Sequence, residues 1–262
     1  MEYRDFVKTT LPYLGLRWRR FRSSNVKRRV MEQMRLAGFT GLAPYQHYLL
    51  THLQEQRRLT GKLTVTISRF WRNRDLFGAL RDKWLPTLLE QLPPGEPLRL
   101  WSAGCACGEE PYSLLMLWRE HFRHCSRRVL IVASEIDERC LARARAGRYA
   151  PSSLRELPRE LREKYFRFAQ GSYILQEDLW QEISWKVHNL LWDDPLEGQH
   201  VIFCRNLVYT YFTDSLQLEM TGKFHRALLP GGLLVVGRKE RLPAGSDSLF
   251  RQAAPAMIWE RC

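Results

Sequence analysis

The sequence predicts an α/β fold in which a doubly wound sheet over residues 98–262 follows an all-α N-terminal region. Apolar segments of strand length alternate with helical segments through the second part of the chain. A turn of small residues joins the first strand to a helix, and an acid follows the second strand, which is the arrangement of a nucleotide-binding sheet. A change of charge between the two parts of the chain is the third observation that supports this organisation.

The composition is that of a globular protein. Hydrophobic residues make up 45% and charged residues 26% of the 262 residues, values that exclude a disordered or collagen-like chain. No apolar run reaches the about 18 residues that a membrane span needs, and the N-terminal segment has no signal-peptide stretch. The six cysteines include no C-x-x-C pair, so neither a zinc site nor a disulfide framework is expected. We therefore expect a cytoplasmic protein with no bound metal and no membrane insertion.

Positive charge is concentrated in the first part of the chain. Residues 1–90 hold 18 Lys and Arg against 7 Asp and Glu, which gives +11 of the total +13. Residues 91–262 hold 23 against 21, a net of +2, and a Pro-Pro-Gly breaker lies close to the change. We therefore predict a basic helical N-terminal domain over 1–62, a linker segment over 63–97 and the sheet domain over 98–262.

The N-terminal region contains a predicted amphipathic helix with basic residues on its outer side. Ser24 or Asn25 caps it, Gly38 ends it, and its apolar stripe consists of Val26, Val30, Met34 and Ala37. Arg28 and Arg35 point away from this stripe, which suits contact with an acidic partner. Nucleic acid, anionic lipid and an acidic protein helix all fit, and charge alone does not choose among them.

The elements of the sheet domain follow from apolar runs and from the turn residues between them. The predicted strands are Leu98–Ser102, Val129–Ala133, Val201–Cys204, Gly232–Val236 and Met257–Trp259. The predicted helices are Glu109–His121, Cys140–Ala146 and Asp214–Leu228. A hairpin is predicted around Gly171, in the less regular stretch that precedes the strand at Val201.

The turn Ser102–Gly108 indicates which ligand the sheet binds. It contains neither G-x-G-x-x-G nor G-x-x-x-x-G-K-[ST], so a dinucleotide site and a P-loop are not supported. Glu109 and Glu110 follow directly, and two carboxylates there repel a phosphate and suit a cationic ligand. Glu135 is placed to accept hydrogen bonds from ribose hydroxyls. A positively charged nucleoside without phosphates points to S-adenosylmethionine, although stabilisation of a helix N-terminus is the alternative role for Glu109.

The residues of this turn also resemble those of a known family. Trp101–Ser113 closely resembles the W-S-A-G-C-S-T-G-E-E-P-Y-S signature of CheR-type chemotaxis receptor methyltransferases. Further segments are similar to the family's motifs, in the same order: Leu63–Asn73, Ala133–Leu141, Ala144–Tyr149, Phe203–Leu207 and Leu229–Leu233. The resemblance implies an S-adenosylmethionine-dependent methyltransferase domain of the Rossmann-like type. It also implies a small inserted β-subdomain, at about 160–187, that is shorter here than in the family.

The resemblance implies which residues contact the cofactor. The segment with Thr66, Ser68 and Arg72 contacts its methionine part, Glu110 its amino acid group and Glu135 its ribose. The other implied contacts are Ala103 and Gly104 in the turn, Asn189 and Leu190 flanking the adenine, and Arg205 and Asn206 after the fourth strand. Thr66, Ser68 and Glu135 replace the family's Asn, Thr and Asp, so their contacts differ in size or hydrogen bonding.

The implied catalytic residues are Arg72, beside the transferred methyl group, and a tyrosine that faces it. The run after the Arg-Asn pair is one residue longer than in the family, so Tyr209 and Tyr211 both match. Tyr211 is preferred because it keeps the family's Tyr-Phe pair. Methyl transfer to a carboxylate needs no general base, since the carboxylate is ionised near neutral pH. Phe70 and Trp71 are expected to pack in the core rather than to contact the sulfonium.

The resemblance implies methyl transfer from S-adenosylmethionine to glutamate carboxylates of a chemoreceptor, with S-adenosylhomocysteine as the product. Arg28 and Arg35 would dock acidic helices of the receptor's cytoplasmic domain, and a monomer with no nucleic-acid partner is expected. Three alternatives stay open: methylation of another protein or a small carboxylate, a nucleic-acid methyltransferase, and a non-catalytic cofactor-binding scaffold. Against the second, the chain lacks the [DNS]-P-P-[YF] motif of base amino methylation.

Overall fold

The structure is a computed structural model that describes residues 1–63 and 68–262. The first of these ranges is helical, as the sequence predicts. Its helices are α1 (Tyr3–Thr10), α2 (Ser24–Leu36), α3 (Leu42–Thr51) and α4 (Leu53–Leu63), with a short 3-10 helix at Trp18–Phe21. In the described residues, no helix combines the length and the apolar character that a membrane span requires.

The predicted amphipathic helix is α2. Ser23 caps it by accepting a hydrogen bond from the Val26 N–H at 3.4 Å, so the cap lies one residue before the earlier of the two predicted positions. The chain leaves the helix through Gly38, whose φ of +84° is a left-handed conformation that favours glycine. Most of the apolar stripe is buried, whereas Arg28 and Arg35 are exposed. The helix therefore presents basic side chains to solvent.

A buried carboxylate ties three of these helices together. Glu55 of α4 is 3% exposed and accepts hydrogen bonds from Gln33 Nε2 of α2, at 2.9 Å, and from the Tyr45 hydroxyl of α3, at 2.8 Å. Burial and then the hydrogen bond to Glu55 raise the pKa of Tyr45. The hydroxyl therefore keeps its proton and continues to donate to the carboxylate.

The rest of the described chain contains two sheets. Its strands are β1 (Leu98–Ala103), β2 (Val129–Glu135), β3 (Arg148–Tyr149), β4 (Phe166–Ala169), β5 (Ser172–Leu175), β6 (Ile183–Val187), β7 (Gln199–Phe203), β8 (Leu228–Val235), β9 (Phe250–Gln252) and β10 (Ile258–Arg261). The large sheet has seven strands in the order β6-β2-β1-β7-β8-β10-β9. Its first five are parallel, whereas β10 is antiparallel to both neighbours. The strand order reverses at β1, and ligands bind at such a point in doubly wound sheets.

The sequence predicts three of the helices in this part, which differ from the prediction only at some ends, and does not predict the other four. They are α5 (Arg74–Ala79), α6 (Leu85–Gln91), α7 (Glu109–His121), α8 (Glu138–Ala146), α9 (Arg159–Tyr165), α10 (Val208–Tyr211) and α11 (Asp214–Ala227). A π-helical turn at Leu80–Trp84 joins α5 to α6. α7 has the predicted bounds. α8 begins two residues earlier than predicted, because Asp137 Oδ1 accepts a hydrogen bond from the Arg139 N–H at 3.0 Å and caps it.

Pro230, Gly231 and Gly232, which have the composition of a turn before the predicted strand Gly232–Val236, form a bulge inside β8. Gln199 pairs with Leu228, but Val201 pairs with Leu233, so the register shifts between them. Gly231 supplies a φ of +71° at this irregularity. The strand therefore starts four residues before the predicted Gly232.

The small sheet has three antiparallel strands in the order β3-β5-β4. The hairpin predicted around Gly171 is confirmed: Gln170 and Gly171 connect β4 to β5 with φ angles of +51° and +71°. Within the range 160–187 assigned to the subdomain, β6 pairs with β2 of the large sheet instead. The small sheet gains β3 from outside that range, so the insertion is displaced toward the N-terminus.

The large sheet is covered on both faces. Successive side chains of a strand point to opposite faces, so β1 and β7 contribute alternate residues to two apolar clusters. Leu100 and Phe203 belong to one cluster, together with residues of α5 to α7. Trp101 and Ile202 belong to the other cluster, which contains Tyr45 and further residues of the N-terminal helices. The N-terminal helices therefore share a core with the sheet. The proposed division into domains at residue 62 stays a prediction.

A short extended segment after α1 fastens the N-terminal region to the chain at the end of α10, beyond β7. Leu16 forms an antiparallel bridge with Phe212. The Arg17 N–H donates to the Tyr211 carbonyl, and the Thr213 N–H donates to the Gly15 carbonyl, both at 2.8 Å. These bonds hold the helices over the carboxyl edge of the sheet.

Glu109 is a buried acid at the first position of α7. It is 4% exposed, and its Oε2 has no hydrogen-bond partner in the described part of the chain. Burial raises the pKa of Glu109 to about 7, and its own backbone N–H and the charge of Arg143 oppose this rise. The interaction with a free first-turn N–H agrees with the helix N-terminus role.

The pH dependence of stability tests this placement. Because the pKa of Glu109 is higher in the folded than in the unfolded chain, its contribution to the unfolding free energy is present at low pH and is lost as pH rises through about 7. We therefore subtract the unfolding free energy of the wild type from that of Glu109→Gln, both measured by urea unfolding. This difference should be about 2 kcal/mol larger at pH 8 than at pH 5. Glu138→Gln, at an exposed first-turn position of α8, is the control. If the stability difference between Glu109→Gln and the wild type is the same at pH 5 and at pH 8, the burial of Glu109 is contradicted.

Candidate active site

A cavity of about 1000 Å³, including space open to solvent, lies at the carboxyl ends of β1, β2 and β7. Leu16 and Thr60 of the N-terminal region line it together with residues that follow the strands. Most of the predicted cofactor contacts meet here, although they are far apart in sequence. They are Ser68, Arg72, Gly104, Glu110, Glu135, Asn189, Leu190, Arg205 and Asn206. Thr66 lies outside the described residues.

The turn after β1 brings backbone rather than side chains to the cavity. Gly104 has a φ of +80°, and a Cβ at this position would overlap the Leu207 side chain. The N–H groups of Gly104 and Cys105 both donate to the Ser134 carbonyl at 2.9 Å, which holds the turn against β2. Ala103 is 1% exposed and packs in the core instead of lining the cavity. Of this predicted pair, Gly104 therefore faces the ligand space and Ala103 supports it.

Glu135 ends β2 with its carboxylate fixed by backbone donors. Oε2 accepts from the Ala106 N–H at 3.0 Å, and Oε1 accepts from the Ile136 N–H at 2.8 Å. Burial raises the pKa of Glu135, and these backbone bonds oppose the rise. A carboxylate has about four lone-pair sites, so the group retains acceptor capacity for ligand hydroxyls.

Arg205 follows Cys204, directly after β7, and its guanidinium is bonded to three other residues of the site. Its guanidinium is 5% exposed, and Nη1 lies 3.1 Å from Glu110 Oε2. Nη2 donates to the Arg72 carbonyl at 2.8 Å and to Asn73 Oδ1 at 2.6 Å. The Ser102 hydroxyl donates to the other Glu110 oxygen at 2.7 Å. Arg205 therefore joins the first turn of α7 to the loop that carries Arg72.

This loop, residues 68–73, has a strained backbone. Trp71 and Asn73 have φ angles of +58° and +69°, a region that costs non-glycine residues free energy. The carboxylate of Glu156 holds the loop, because it accepts from Arg69 Nη1 at 3.2 Å and from the Asn73 N–H at 3.1 Å. Burial and then the charge of Arg205 lower the pKa of Arg72. The loop thus places a second, half-buried guanidinium at the cavity.

Neighbouring Asn206 is positioned by an acid that the sequence reasoning missed. Glu240, 4% exposed, accepts from the N–H groups of Asn206 and Gly237, each at 2.7 Å, and from the Thr210 hydroxyl at 2.6 Å. Asn206 itself has a φ of +58°. Charge-assisted bonds of this kind offset the cost of the left-handed turn. A sequence signal for Glu240 exists only in its place shortly after a predicted strand.

The structure does not bring either candidate tyrosine to the cavity lining. Tyr209 is 5% exposed, and its hydroxyl lies 3.1 Å from Thr221 Oγ1 in the core. The ring of Tyr211 packs 5.4 Å from that of Phe21, while the next residue, Phe212, lines the cavity. The catalytic role of Tyr211 therefore stays a prediction without support from its position.

The aromatic pair in the Arg72 loop packs as expected. Phe70 is fully buried, with its ring 4.7 Å from that of Tyr149, and Trp71 stacks on Phe77 at 4.4 Å. The core interpretation of Phe70 and Trp71 is therefore confirmed. These rings anchor the loop between its two cavity-lining residues, Ser68 and Arg72.

The opposite end of the cavity is formed by the turn after β6. Asn189 Oδ1 accepts from the Leu191 N–H at 3.0 Å, and the Asn189 N–H donates to Asp193 Oδ2 at 2.8 Å. Leu190 is 7% exposed and packs in the apolar cluster that contains Trp101 and Ile202. His188 also lines the cavity, and the sequence reasoning missed it because a single histidine carries no motif.

The chemistry of these residues fits S-adenosylmethionine. Glu110 and Arg205 place opposite charges side by side, which matches the ammonium and carboxylate of an amino acid group. Arg205 Nε is buried without a partner in the described part of the chain, so this donor of the guanidinium is left unsatisfied. Glu135 offers acceptors for ribose hydroxyls, and the glycine turn leaves room between them.

Comparison with known proteins agrees with this geometry. Residues 66–257 match the family model described as CheR methyltransferase, SAM binding domain. A chemotaxis protein methyltransferase of Listeria monocytogenes is 30% identical over 246 residues, a match covering 94% of this chain and 92% of that protein. Chemotaxis protein methyltransferase 2 of Pseudomonas aeruginosa is 33% identical over 218 residues, covering 81% of this chain and 76% of that protein.

One similar protein is much longer than this chain. It is an uncharacterized 104.1 kDa protein in the hypE 3' region of Rhodobacter capsulatus, 30% identical over 242 residues, which are 92% of this chain but 25% of that protein. The family model covers the Arg72 loop, strands β1 to β9 and the cavity residues from Ser68 onward, and the Listeria relative matches 94% of this chain. The chain therefore belongs to the CheR methyltransferase family, whose domain binds S-adenosylmethionine.

Proposed function

We propose that the chain transfers a methyl group from S-adenosylmethionine to glutamate side chains of a chemoreceptor, forming methyl esters. The observation that carries this proposal is the pair of guanidinium groups, Arg72 and Arg205, at one cavity beside Glu110. One cation can pair with the carboxylate of the cofactor, and the other remains for a substrate carboxylate. The names of the relatives, which are chemotaxis protein methyltransferases, support the substrate class.

The reaction requires positioning more than acid–base chemistry. When bound, the cofactor supplies a methyl group on a positively charged sulfur, and transfer to a carboxylate oxygen leaves an ester and a neutral thioether. The substrate glutamate is already ionised near pH 7, so the chain need not remove a proton. In this proposal Arg72 orients the carboxylate, Glu110 holds the ammonium of the cofactor and Glu135 holds its ribose. Leu16 and Thr60 of the N-terminal region line the same cavity and would limit the access of water to the aligned groups.

The substrate is proposed to approach over α2. Arg28 and Arg35 are exposed on this helix. α2 is fixed to α4 by the Arg29 Nη1 bond to the Lys62 carbonyl, at 3.1 Å, and α4 contributes Thr60 to the cavity. The helix that carries the basic side chains is therefore bonded to a helix that lines the cavity. They suit glutamate-rich receptor helices in the cytoplasm, bound by a monomer of this chain.

Loss of the Arg72 guanidinium tests the proposed chemistry. Arg72→Ala should lower kcat by about 100-fold or more, because an oriented charged group is removed from the reacting carboxylate. The measurement is the transfer of radiolabel from S-adenosylmethionine to a purified cytoplasmic fragment of a chemoreceptor, followed by alkali. Label lost to alkali as methanol is expected for a carboxylate ester.

Arg81→Ala, at an exposed position that pairs with Asp82, is the control and should keep wild-type turnover. Thermal unfolding shows whether each variant is folded. Alkali-stable label in the wild type would refute esterification, and near-wild-type turnover by folded Arg72→Ala would refute the role of Arg72.

Charge reversal on α2 tests the proposed docking surface. The double variant Arg28→Glu, Arg35→Glu should raise KM for the receptor fragment by about tenfold or more, with kcat and the Kd for S-adenosylhomocysteine unchanged. The effect should shrink between about 0.05 M and 0.5 M salt, since the surface charges become screened. Arg123→Glu, Arg128→Glu is the matched control, with the same charge change before β2. An equal rise of KM in both variants would show that only net charge matters.

A further inference from the structure

The loop that carries Arg72 is fastened to the part of the chain that forms the small sheet. The Phe70 N–H donates to the Ser153 carbonyl, between β3 and α9, at 2.9 Å. The ring of Phe70 also packs edge-on against rings of β3 and β4, with centroids 4.7 Å from Tyr149 and 5.1 Å from Phe166. The residues from β3 to β4 therefore support the middle of this loop.

Glu156 lies in the same part of the chain and bonds the loop on both sides of Arg72. Its Oε1 lies 3.2 Å from Arg69 Nη1, and its Oε2 accepts from the Asn73 N–H at 3.1 Å. Its backbone carbonyl accepts from Arg74 Nε at 3.0 Å. One acidic residue thus restricts the backbone before and after Arg72.

The same carboxylate leaves Arg72 as the unpaired guanidinium of the loop. Arg69 is in an ion pair with Glu156, whereas Arg72, which lines the cavity, is in no ion pair within residues 1–63 and 68–262. Burial, and then the charges of Arg205 and Arg69, lower the pKa of Arg72, and the charge of Glu156 opposes this shift. The negative charge of Glu156 therefore offsets repulsion among the guanidinium groups around the cavity.

We propose that Glu156 is a positioning residue for Arg72. It fixes the loop and pairs with Arg69, so that the Arg72 guanidinium is held where it orients the substrate carboxylate. The inference rests on the proposed function, because this carboxylate is the methyl acceptor of that reaction. Glu156 does not line the cavity and therefore acts through the loop. The alternative is that Glu156 only stabilises the fold.

A double-mutant cycle with Arg72 separates these two roles. At saturating S-adenosylmethionine, Glu156→Ala should lower kcat for the receptor fragment by about tenfold, because a displaced loop misaligns the guanidinium. KM for the fragment should stay within about twofold, since docking is proposed to occur on α2. In the Arg72→Ala background the same change should have no further effect on kcat, because the group that Glu156 positions is gone.

The conservative variant Glu156→Gln separates the hydrogen bond from the charge. Its amide oxygen can still accept from the Asn73 N–H, but the ion pair with Arg69 is lost. It should therefore restore part of the kcat that Glu156→Ala loses. A variant that only destabilises the fold would lower the unfolding temperature without this dependence on Arg72.

Glu96→Ala is the matched control. The side chain of Glu96 is 30% exposed, against 29% for Glu156, and it also pairs with an arginine, Arg99. Glu96 precedes β1, at the edge of the sheet opposite the cavity, so this variant should keep the wild-type kcat. A kcat of Glu156→Ala within about twofold of the wild type would overturn the proposal, and so would an equal fall of kcat in the wild-type and Arg72→Ala backgrounds.

A second measurement needs no methyl acceptor. Hydrogen exchange followed by mass spectrometry reports on the backbone N–H groups of the loop in the protein alone. Glu156→Ala removes the acceptor of the Asn73 N–H, so deuterium uptake in a peptide spanning residues 69–76 should rise, whereas Glu96→Ala should leave it unchanged. Unchanged uptake in Glu156→Ala would overturn the proposal. A wild type that forms no ester would instead overturn the glutamate substrate, and the uptake would still decide whether Glu156 holds the loop.

Discussion

The buried ion pair between Arg205 and Glu110 is the interaction on which the rest of the site depends. Two such charges, 5% and 12% exposed, are stable in the interior only when further hydrogen bonds satisfy them. Arg205 meets this requirement by also bonding the Arg72 carbonyl and Asn73, and Glu110 by accepting from Ser102. The bonds that satisfy the charges therefore also fix the loop that carries Arg72. The same set of hydrogen bonds therefore compensates the buried charges and positions the Arg72 loop.

This arrangement accounts for how little catalytic machinery the proposed reaction needs. The site places oppositely charged groups side by side, which suits the amino acid end of the cofactor, and in our proposal the separate guanidinium of Arg72 orients an anionic substrate. Left-handed residues such as Trp71, Asn73 and Asn206 occur where these groups are displayed. The strain at Asn73 and Asn206 is offset by carboxylates, the half-buried Glu156 and the buried Glu240, that accept from their backbone N–H groups. Stabilising interactions in the rest of the fold thus offset the strain of the residues that form the cavity.

Much of the fold could be predicted from the sequence, because the strands are apolar runs and α7 begins directly after a glycine turn. The bulge in β8 could not, since it depends on pairing with β7 rather than on local residues. Motifs identified most cavity residues, yet Glu240 and His188 act through contacts distant in sequence and carry no pattern. The choice of Tyr211 rested on a run with one extra residue, and sequence spacing does not determine where its ring points.

A double-mutant cycle tests whether Arg205 positions the Arg72 loop for cofactor binding. Arg205→Lys keeps the charge but loses the planar fork, and Asn73→Gly removes the side chain without opposing the left-handed backbone. The Kd for S-adenosylhomocysteine should rise in each single variant. If Arg205 acts through Asn73, the double variant should be within about twofold of Arg205→Lys alone. Fully multiplicative effects would contradict the coupling.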